Sequence, residues 1–159
     1  LAELQSAVDE WIENPNTAQE KHGHISDWDV SNITSMTNLF RGKTDFNEDI
    51  SKWDTSSVID MSHMFNGASS FNQNIRSWNT SSVQTMNQMF FKAGSFNQNI
   101  GSWDTSNVVR MDGMFYQATS FNGNISDWNT SSVVKMETMF YQATNFNQNL
   151  YWDVSSVDN

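Results

Sequence analysis

The sequence is poor in several residue types, and each scarcity excludes a class of protein. There is no cysteine, so disulfides and thiolate metal sites are excluded. Eight basic side chains stand against 18 acidic ones, a net charge of −10. This balance argues against nucleic acid and against an anionic membrane surface, since both require a basic face. No run of about 18 apolar residues is present, so we expect no transmembrane segment.

Catalytic signatures are also missing. The three histidines, His22, His24 and His63, share no repeat position, and the carboxylates are scattered over variable positions. Neither a Ser-His-Asp arrangement nor a glycine-rich phosphate loop occurs. We therefore expect a protein that is not an enzyme, with no catalytic residues, no metal site and no cofactor.

Tryptophan, in contrast, recurs at a fixed interval. The first five repeats are 25 residues apart and the sixth follows after 24, at Trp28, Trp53, Trp78, Trp103, Trp128 and Trp152. No single helix or strand has such a period, so it belongs to a larger repeated unit. The copies share the pattern F-N-x-[ND]-I-x-x-W-[DN]-T-S-x-V-x-x-M-x-x-M-F-x-x-A.

Each copy divides into two halves. From Val58 to Ala68 the apolar residues have helical spacing, and Thr55 to Ser57 are suitable N-cap residues. The stretch Phe71 to Trp78 has β-favouring residues and no helical stripe, which predicts a short strand followed by a bend. We therefore predict an α/β repeat solenoid similar to leucine-rich repeats. It would have about five full 25-residue coils and a partial sixth, each with a short strand and a short helix.

The two ends of the chain differ from the middle. An amphipathic helix ending at Asn14-Pro15 predicts an N-terminal helical cap over residues 1–24, and the repeats occupy residues 25–159 as one domain with that cap. The last copy, from Phe146, stops before its predicted helix. An uncapped C-terminal end favours self-association through that end, or a longer natural chain, and the first residue, Leu1, indicates a processed or partial sequence.

Residues that recur every 25 positions form columns along the array. The Trp, Ile, Met and Phe columns are interpreted as core. The invariant Asn column is interpreted as an internal amide ladder rather than a ligand contact, and the Asp/Asn column after each Trp as turn formation and capping rather than a calcium site. The Thr column is interpreted as helix capping, with an ice-binding face as the alternative. These columns are Asn47, Asn72, Asn97, Asn122 and Asn147; Asp29, Asp54, Asn79, Asp104, Asn129 and Asp153; and Thr55, Thr80, Thr105 and Thr130.

One column is aromatic without belonging to the apolar stripe. Its last three members are Phe91, Tyr116 and Tyr141, and the tyrosines are followed by Gln117 and Gln142. Exposed stacked aromatics are typical of binding or association sites. The alternative is that they cover the C-terminal ends of the predicted helices. These five residues are the candidate binding site.

The motif F-N-x-[ND]-I-S-x-W-D-T-S-x-V-x-x-M-x-x-M-F closely resembles the BspA-like leucine-rich-repeat surface proteins, which also occur in microalgae. The resemblance covers about residues 25 to 157. It implies an extracellular or cell-surface location and a role in adhesion or binding, with no catalytic residues to transfer.

The sequence thus predicts a non-enzymatic extracellular or cell-surface scaffold that binds a protein or glycan partner. The alternative is a structural subunit that assembles end to end or laterally into a filament, a shell, or a virion or cell-surface layer. A weaker alternative is ice binding through the Thr array.

Overall fold

The computed structural model describes residues 1–158, and its α-helices lie at the N-terminus. Helix α1 spans Ala2–Glu13, helix α2 spans Pro15–His22, and a 3₁₀ turn spans Ile25–Asp27. Asn14 separates the helices because its side chain accepts a hydrogen bond from the Thr17 N–H at 3.2 Å, and proline at the first position favours the start of α2. Both helices lie within residues 1–24.

Helix α1 packs on the first repeat. Val8 and Trp11 of α1 and Ala18 of α2 belong to the same buried cluster as the repeats. Gln5 donates a hydrogen bond through Nε2 to the carbonyl of Leu39 at 3.0 Å. The helices therefore bury their apolar stripe against the first coil and cover its outer side.

The repeats stack as coils that contain neither an α-helix nor a continuous strand. Single parallel β-bridges join neighbouring coils, at Ser35–Asp60, Asp60–Thr85, Thr85–Arg110 and Arg110–Lys135. Apart from the 3₁₀ turn at Ile25–Asp27, the rest of each coil, up to residue 158, consists of turns and irregular backbone. The predicted α/β solenoid, with a short strand and a short helix in every leucine-rich-repeat-like coil, is therefore wrong.

Consecutive turns replace the predicted helix. Met64, Asn66 and Ala68 donate their N–H groups three residues back, to Met61, His63 and Phe65, as in β-turns. The backbone N–H groups of the residues between them, Met61, His63, Phe65 and Gly67, donate instead to carbonyls of the next coil. Positive φ values at His63 and Gly67 interrupt any helix. A three-residue spacing of apolar side chains fits both a helix and successive turns, which explains the error.

The predicted strand is replaced by a bent segment held by a side chain. Asn74 accepts the Arg76 N–H through Oδ1 at 3.1 Å, and Trp78 donates its N–H to the Ile75 carbonyl at 3.2 Å. These turns allow Phe71, Ile75 and Trp78 all to be buried. The prediction that the Ile and Trp columns belong to the core is confirmed at Ile75 and Trp78, although no strand precedes the bend.

Aromatic rings stack through the core from coil to coil. Trp78 and Trp103 lie parallel with centroids 6.4 Å apart, and Phe65 and Phe90 lie 5.6 Å apart. Every indole N–H from Trp53 to Trp152 donates to an isoleucine carbonyl of the preceding coil at 2.8–3.1 Å. Side-chain N and O atoms that are buried within residues 1–158 all have hydrogen-bond partners. The Trp column therefore belongs to the core and ties adjacent coils together.

The shorter step before Trp152 does not break this register. Trp152 stacks on Trp128 at 6.1 Å and donates to the Ile125 carbonyl at 3.0 Å, as its predecessors do in their own coils. The missing residue is therefore absorbed between Leu150 and Trp152.

A turn position in the fifth coil holds a threonine in the left-handed region. Thr138 has φ 55°, where its column elsewhere has Asn38, His63, Gln88 and Gly113. A β-branched residue is strained there, and Gly113 shows that the coil accepts glycine. We expect Thr138→Gly to raise the free energy of unfolding by about 0.5–1 kcal/mol, measured by urea denaturation.

Thr144→Gly provides the matched control for Thr138→Gly. Thr144 is also exposed and is not among the residues with positive φ. Glycine at position 144 only increases the conformational entropy of the unfolded chain, so the free energy of unfolding should fall by about 0.5–1 kcal/mol. A loss of stability in both variants would contradict the strain at Thr138.

Candidate binding surface

Phe91, Tyr116 and Tyr141 form a continuous stack on the outside of the molecule, which we call the aromatic ridge. The Phe91 and Tyr116 rings have centroids 4.5 Å apart and planes inclined by 9°. The Tyr116 and Tyr141 rings are 4.8 Å apart and inclined by 22°. Phe91 and Tyr116 are half-buried, whereas Tyr141 is 50% exposed. The structure thus brings the three sequence-predicted aromatic residues together.

The turn geometry directs these rings outward. Phe90 is fully buried and the next residue, Phe91, faces the surface. Lys92 follows with φ 57° and donates its N–H to the Tyr116 carbonyl at 2.7 Å. Gln117 has φ 53° and donates in the same way to the Tyr141 carbonyl at 2.8 Å. The left-handed residues thus fix the coil-to-coil register of the ridge.

The stacking leaves mainly ring edges for a partner. Tyr116 has a ring against each of its faces, and the Lys92 ammonium lies over the Phe91 ring, 5.5 Å from its centroid. The Tyr141 face that points away from Tyr116 has no aromatic neighbour within residues 1–158. The ridge therefore presents aromatic edges and tyrosine hydroxyls along its length, and an open ring face only at Tyr141.

The two predicted glutamines extend the ridge with amide groups. Gln117 donates through Nε2 to Oε1 of Gln142, so the two side chains form one step of a ladder beside the tyrosines. Lys92 occupies the same column one coil earlier and is exposed. The ion pairs found in residues 1–158 do not include Lys92. Lys92 is thus an available cation at one end of the ridge.

The alternative for these aromatics was that they cover helix ends. The coils contain turns where the helices were predicted, so there are no helix ends for these residues to cover. The same column holds Arg41 and Asn66 in the first two coils, and those coils bond to their neighbours in the same pattern. An aromatic residue is therefore not required at this position for stacking.

The Thr column is buried. Each of its four members is 1% exposed and donates through Oγ1 to a backbone carbonyl of the next coil, at 2.7–2.9 Å. The hydroxyls satisfy carbonyls between coils, which is neither helix capping nor a surface array. They offer no exposed face to ice.

The Asp/Asn column after each Trp forms exposed Asx turns. Each side chain accepts the N–H of the serine two residues later, at 2.9–3.1 Å. Hydrogen bonds from the serine side chain and backbone lower the pKa of the four aspartates Asp29, Asp54, Asp104 and Asp153. Turn formation, as predicted, accounts for this column. Residues 1–158 contain no group of three His, Asp or Glu side chains placed to hold a metal ion.

The Asn column forms the predicted amide ladder, but on the surface rather than inside. Each of the first four Asn residues, Asn47, Asn72, Asn97 and Asn122, accepts through Oδ1 the backbone N–H of the Asn one coil later, at 2.8–2.9 Å. The neighbouring glutamines Gln73, Gln98 and Gln148 add bonds to the backbone carbonyls of this column. This contribution was not predicted, although glutamine at a fixed offset from the Asn column is its sequence signal.

His63 lies between two amide side chains. Its Nδ1 is 3.3 Å from Asn66 Nδ2 and its Nε2 is 3.4 Å from Asn87 Nδ2. Burial, and secondarily the Arg41 charge, lower its pKa. The negative charges of Asp112 and Asp60 act in the opposite direction on this pKa, and no nucleophile within the described chain is bonded to the ring.

These features define a repeat protein of stacked 25-residue coils with an aromatic ridge on its surface. The family model described as "Mycoplasma protein of unknown function, DUF285" matches residues 9–108 and 73–159. The chain belongs to this family. No protein with a curated description and no solved structure matches it. No helix described here is long and apolar enough to cross a membrane.

Proposed function

We propose that this protein is a non-enzymatic repeat scaffold that binds a protein partner through the aromatic ridge. The observation that carries the proposal is the continuous stack of Phe91, Tyr116 and Tyr141 on the surface. Arg41 and Asn66 occupy the same column in other coils, so coil stacking does not account for three aromatics. Partly exposed aromatic clusters favour partner binding because they bury a large area with little loss of side-chain freedom.

A protein fits the ridge better than a glycan does. Sugars stack on ring faces, and within the ridge as described only Tyr141 has a face free of both a second ring and the Lys92 ammonium. The ring edges carry partial positive charge, and Lys92 adds a full positive charge at one end. We therefore expect a partner that places a carboxylate near Lys92 and packs apolar groups and carbonyls along the tyrosine edges.

An extracellular or cell-surface location is part of this proposal. The repeat motif resembles the BspA-like surface proteins, and the DUF285 match is consistent with a repeat surface protein. The surface described here is rich in uncharged amides and hydroxyls, which suits contacts by hydrogen bonding rather than attraction between net charges.

Loss of both tyrosine rings should abolish most of the binding. We expect Tyr116→Ala with Tyr141→Ala to weaken binding to a protein partner by about tenfold or more, because edge contacts and hydroxyl bonds are both removed. Binding would be measured on arrays of secreted and cell-surface proteins and, in parallel, on a glycan array.

Val109→Ala is the matched control for the ridge variant. Val109 is 39% exposed and lies outside the ridge, so its truncation removes exposed apolar area without touching the aromatics. An equal loss in both variants, or unchanged binding after loss of both tyrosines, would overturn the proposal. Ridge-dependent binding to glycans alone would replace the protein partner with a sugar.

A further inference from the structure

A pocket of about 430 Å³ lies where the N-terminal helices meet the first coil, and we call it the cap pocket. Its apolar floor consists of Trp11 and Ile12 at the C-terminal end of α1, Pro15 at the start of α2, and Phe46 of the first coil. Trp11 and Phe46 are buried, whereas Ile12 is 39% exposed. The cap pocket therefore combines a fixed apolar floor with access from solvent, at a size typical of binding sites.

The floor of the cap pocket contains an unpaired hydrogen-bond donor. The indole N–H of Trp11 has no acceptor within residues 1–158, although the side chain is only 4% exposed. The other six tryptophans all donate this group to a backbone carbonyl. Side-chain N and O atoms without a partner are not buried in the described chain, so the Trp11 N–H reaches the surface, and Trp11 lines the cap pocket. A largely buried indole N–H normally has an acceptor, so the pocket offers a donor to its occupant.

The rim of the cap pocket carries charges at positions that are uncharged in the later coils. Lys43 stands where those coils have alanine, Asp45 where they have serine or asparagine, and Glu48 where they have glutamine or glycine. Contact with α1 accounts for Lys43, whose ammonium lies 2.6 Å from Asp9. Asp45 and Glu48 have no ion pair within residues 1–158. Packing of the first coil on the helices thus leaves two carboxylates without a partner.

Glu48 is the clearest departure from the repeat. At the equivalent position, Gln73, Gln98 and Gln148 donate through Nε2 to an Asn carbonyl of the preceding coil. A carboxylate cannot donate this bond, and Glu48 is half-buried beside the apolar floor. The C-terminal end of α1 adds partial negative charge at the same pocket and has no basic residue in its last turn. The cap pocket therefore favours a cation.

A basic residue within a peptide matches all three features of the cap pocket. The aliphatic stem of lysine or arginine packs on apolar surface while its charged head stays at a polar rim, here at Asp45 and Glu48. A peptide carbonyl supplies the acceptor that the Trp11 N–H lacks. A free alkyl cation has no such acceptor, and a pocket with exposed Ile12 and Pro15 leaves much of a small molecule in water.

We propose that the cap pocket binds an extended segment of a partner protein, through a lysine or arginine side chain and a neighbouring backbone carbonyl. No residue of the aromatic ridge lines this pocket, so the site is separate from the ridge and does not depend on it. The two sites also differ in charge, because the ridge is expected to receive a carboxylate near Lys92.

NMR titration of the ¹⁵N-labelled 159-residue chain tests this site. The probes are the acetylated peptide amide Gly-Arg-Gly, its Gly-Glu-Gly counterpart, and butylguanidinium, which has the cation without a peptide carbonyl. Gly-Arg-Gly should move the indole N–H signal of Trp11 downfield and leave the other six indole signals in place. Gly-Glu-Gly and butylguanidinium should bind at least fivefold more weakly.

Removal of the two rim carboxylates should weaken the binding of Gly-Arg-Gly. We expect about a fivefold loss of affinity for Asp45→Asn with Glu48→Gln, and both replacements occur at the equivalent positions of other coils. The matched control is Asp54→Asn with Asp104→Asn. It removes the same charge from exposed positions outside the pocket, in a column that already contains asparagine, and should leave the affinity within about twofold.

Four results would overturn the proposal. Equal affinity for the arginine and glutamate peptides, or no shift of the Trp11 signal, would exclude the cap pocket as the site. An equal loss in both double variants would reduce the effect to net charge. Equally tight binding of butylguanidinium would make the occupant a free cation instead of a protein segment. The probe series uses the unaltered protein, so it decides even if a pocket variant fails to fold, and none of these results bears on binding by the ridge.

Discussion

Replacing Trp78 with alanine is expected to lower the free energy of unfolding by about 3–5 kcal/mol. The indole is 4% exposed and stacks on Trp103 at 6.4 Å and on Phe65 at 6.2 Å. Its N–H donates to the Ile50 carbonyl at 3.1 Å. Truncation therefore opens a cavity between three coils and removes one of the bonds between them. Urea denaturation followed by circular dichroism measures the loss.

Trp78→Phe separates the stability lost through the cavity from the stability lost with the hydrogen bond. The smaller ring retains most of the stacking but removes the indole N–H that donates to the Ile50 carbonyl. That carbonyl still accepts the Trp53 N–H at 3.2 Å, so the lost bond should cost only about 0.5–1.5 kcal/mol. The phenylalanine variant should therefore be clearly more stable than the alanine variant. A loss below about 1 kcal/mol for Trp78→Ala would mean that the Trp column does not carry the core.

The second large effect is expected at Phe90. Its ring is fully buried, lies 3.9 Å from Phe96, and stacks between Phe65 and Phe115 of the adjoining coils. Phe90→Ala should lower the free energy of unfolding by about 3–5 kcal/mol by the same measurement, because it leaves a cavity in the stack of rings.

Phe140→Ala tests whether the position of a phenylalanine in the stack determines how much its truncation lowers the free energy of unfolding. Phe140 has the same role in the fifth coil, but it is only half-buried, and within residues 1–158 its column continues on one side only, at Phe115. In an array stabilised by neighbour contacts, a residue with a coil on one side loses less than one between two coils. Equal losses at Phe90 and Phe140 would contradict this description.

The repeat period and the buried columns could be predicted from the sequence. Repetition every 25 residues identifies positions that share an environment, and the apolar ones must be covered. Ile75 and Trp78 are buried as their columns predict. The aromatic column at Phe91, Tyr116 and Tyr141 was identified in the same way, because aromatic residues replace Arg41 and Asn66 without a change in the repeat.

The local backbone was not accessible from the same pattern. Val58, Met61 and Met64 are three residues apart, and both a helix and a chain of β-turns place such residues on one side. Whether the segment forms a helix or a chain of β-turns depends on the hydrogen bonds that alternate N–H groups donate to the next coil, and their acceptors lie 24 residues away in sequence. His63, Lys92 and Gln117 have positive φ although none is a residue type that requires it. Tertiary contacts therefore override local propensity in these turns.

The indole hydrogen bonds also constrain how this gene can change in length. Each Trp from Trp53 to Trp128 reaches 28 residues back for its acceptor, so no coil is complete without the one before it. Duplication or loss of a whole unit leaves every donor with an equivalent partner, whereas a shift of one residue displaces all columns unless a bend absorbs it. Recombination between repeats that share this motif would thus lengthen or shorten the array, and the aromatic ridge on it, in whole steps.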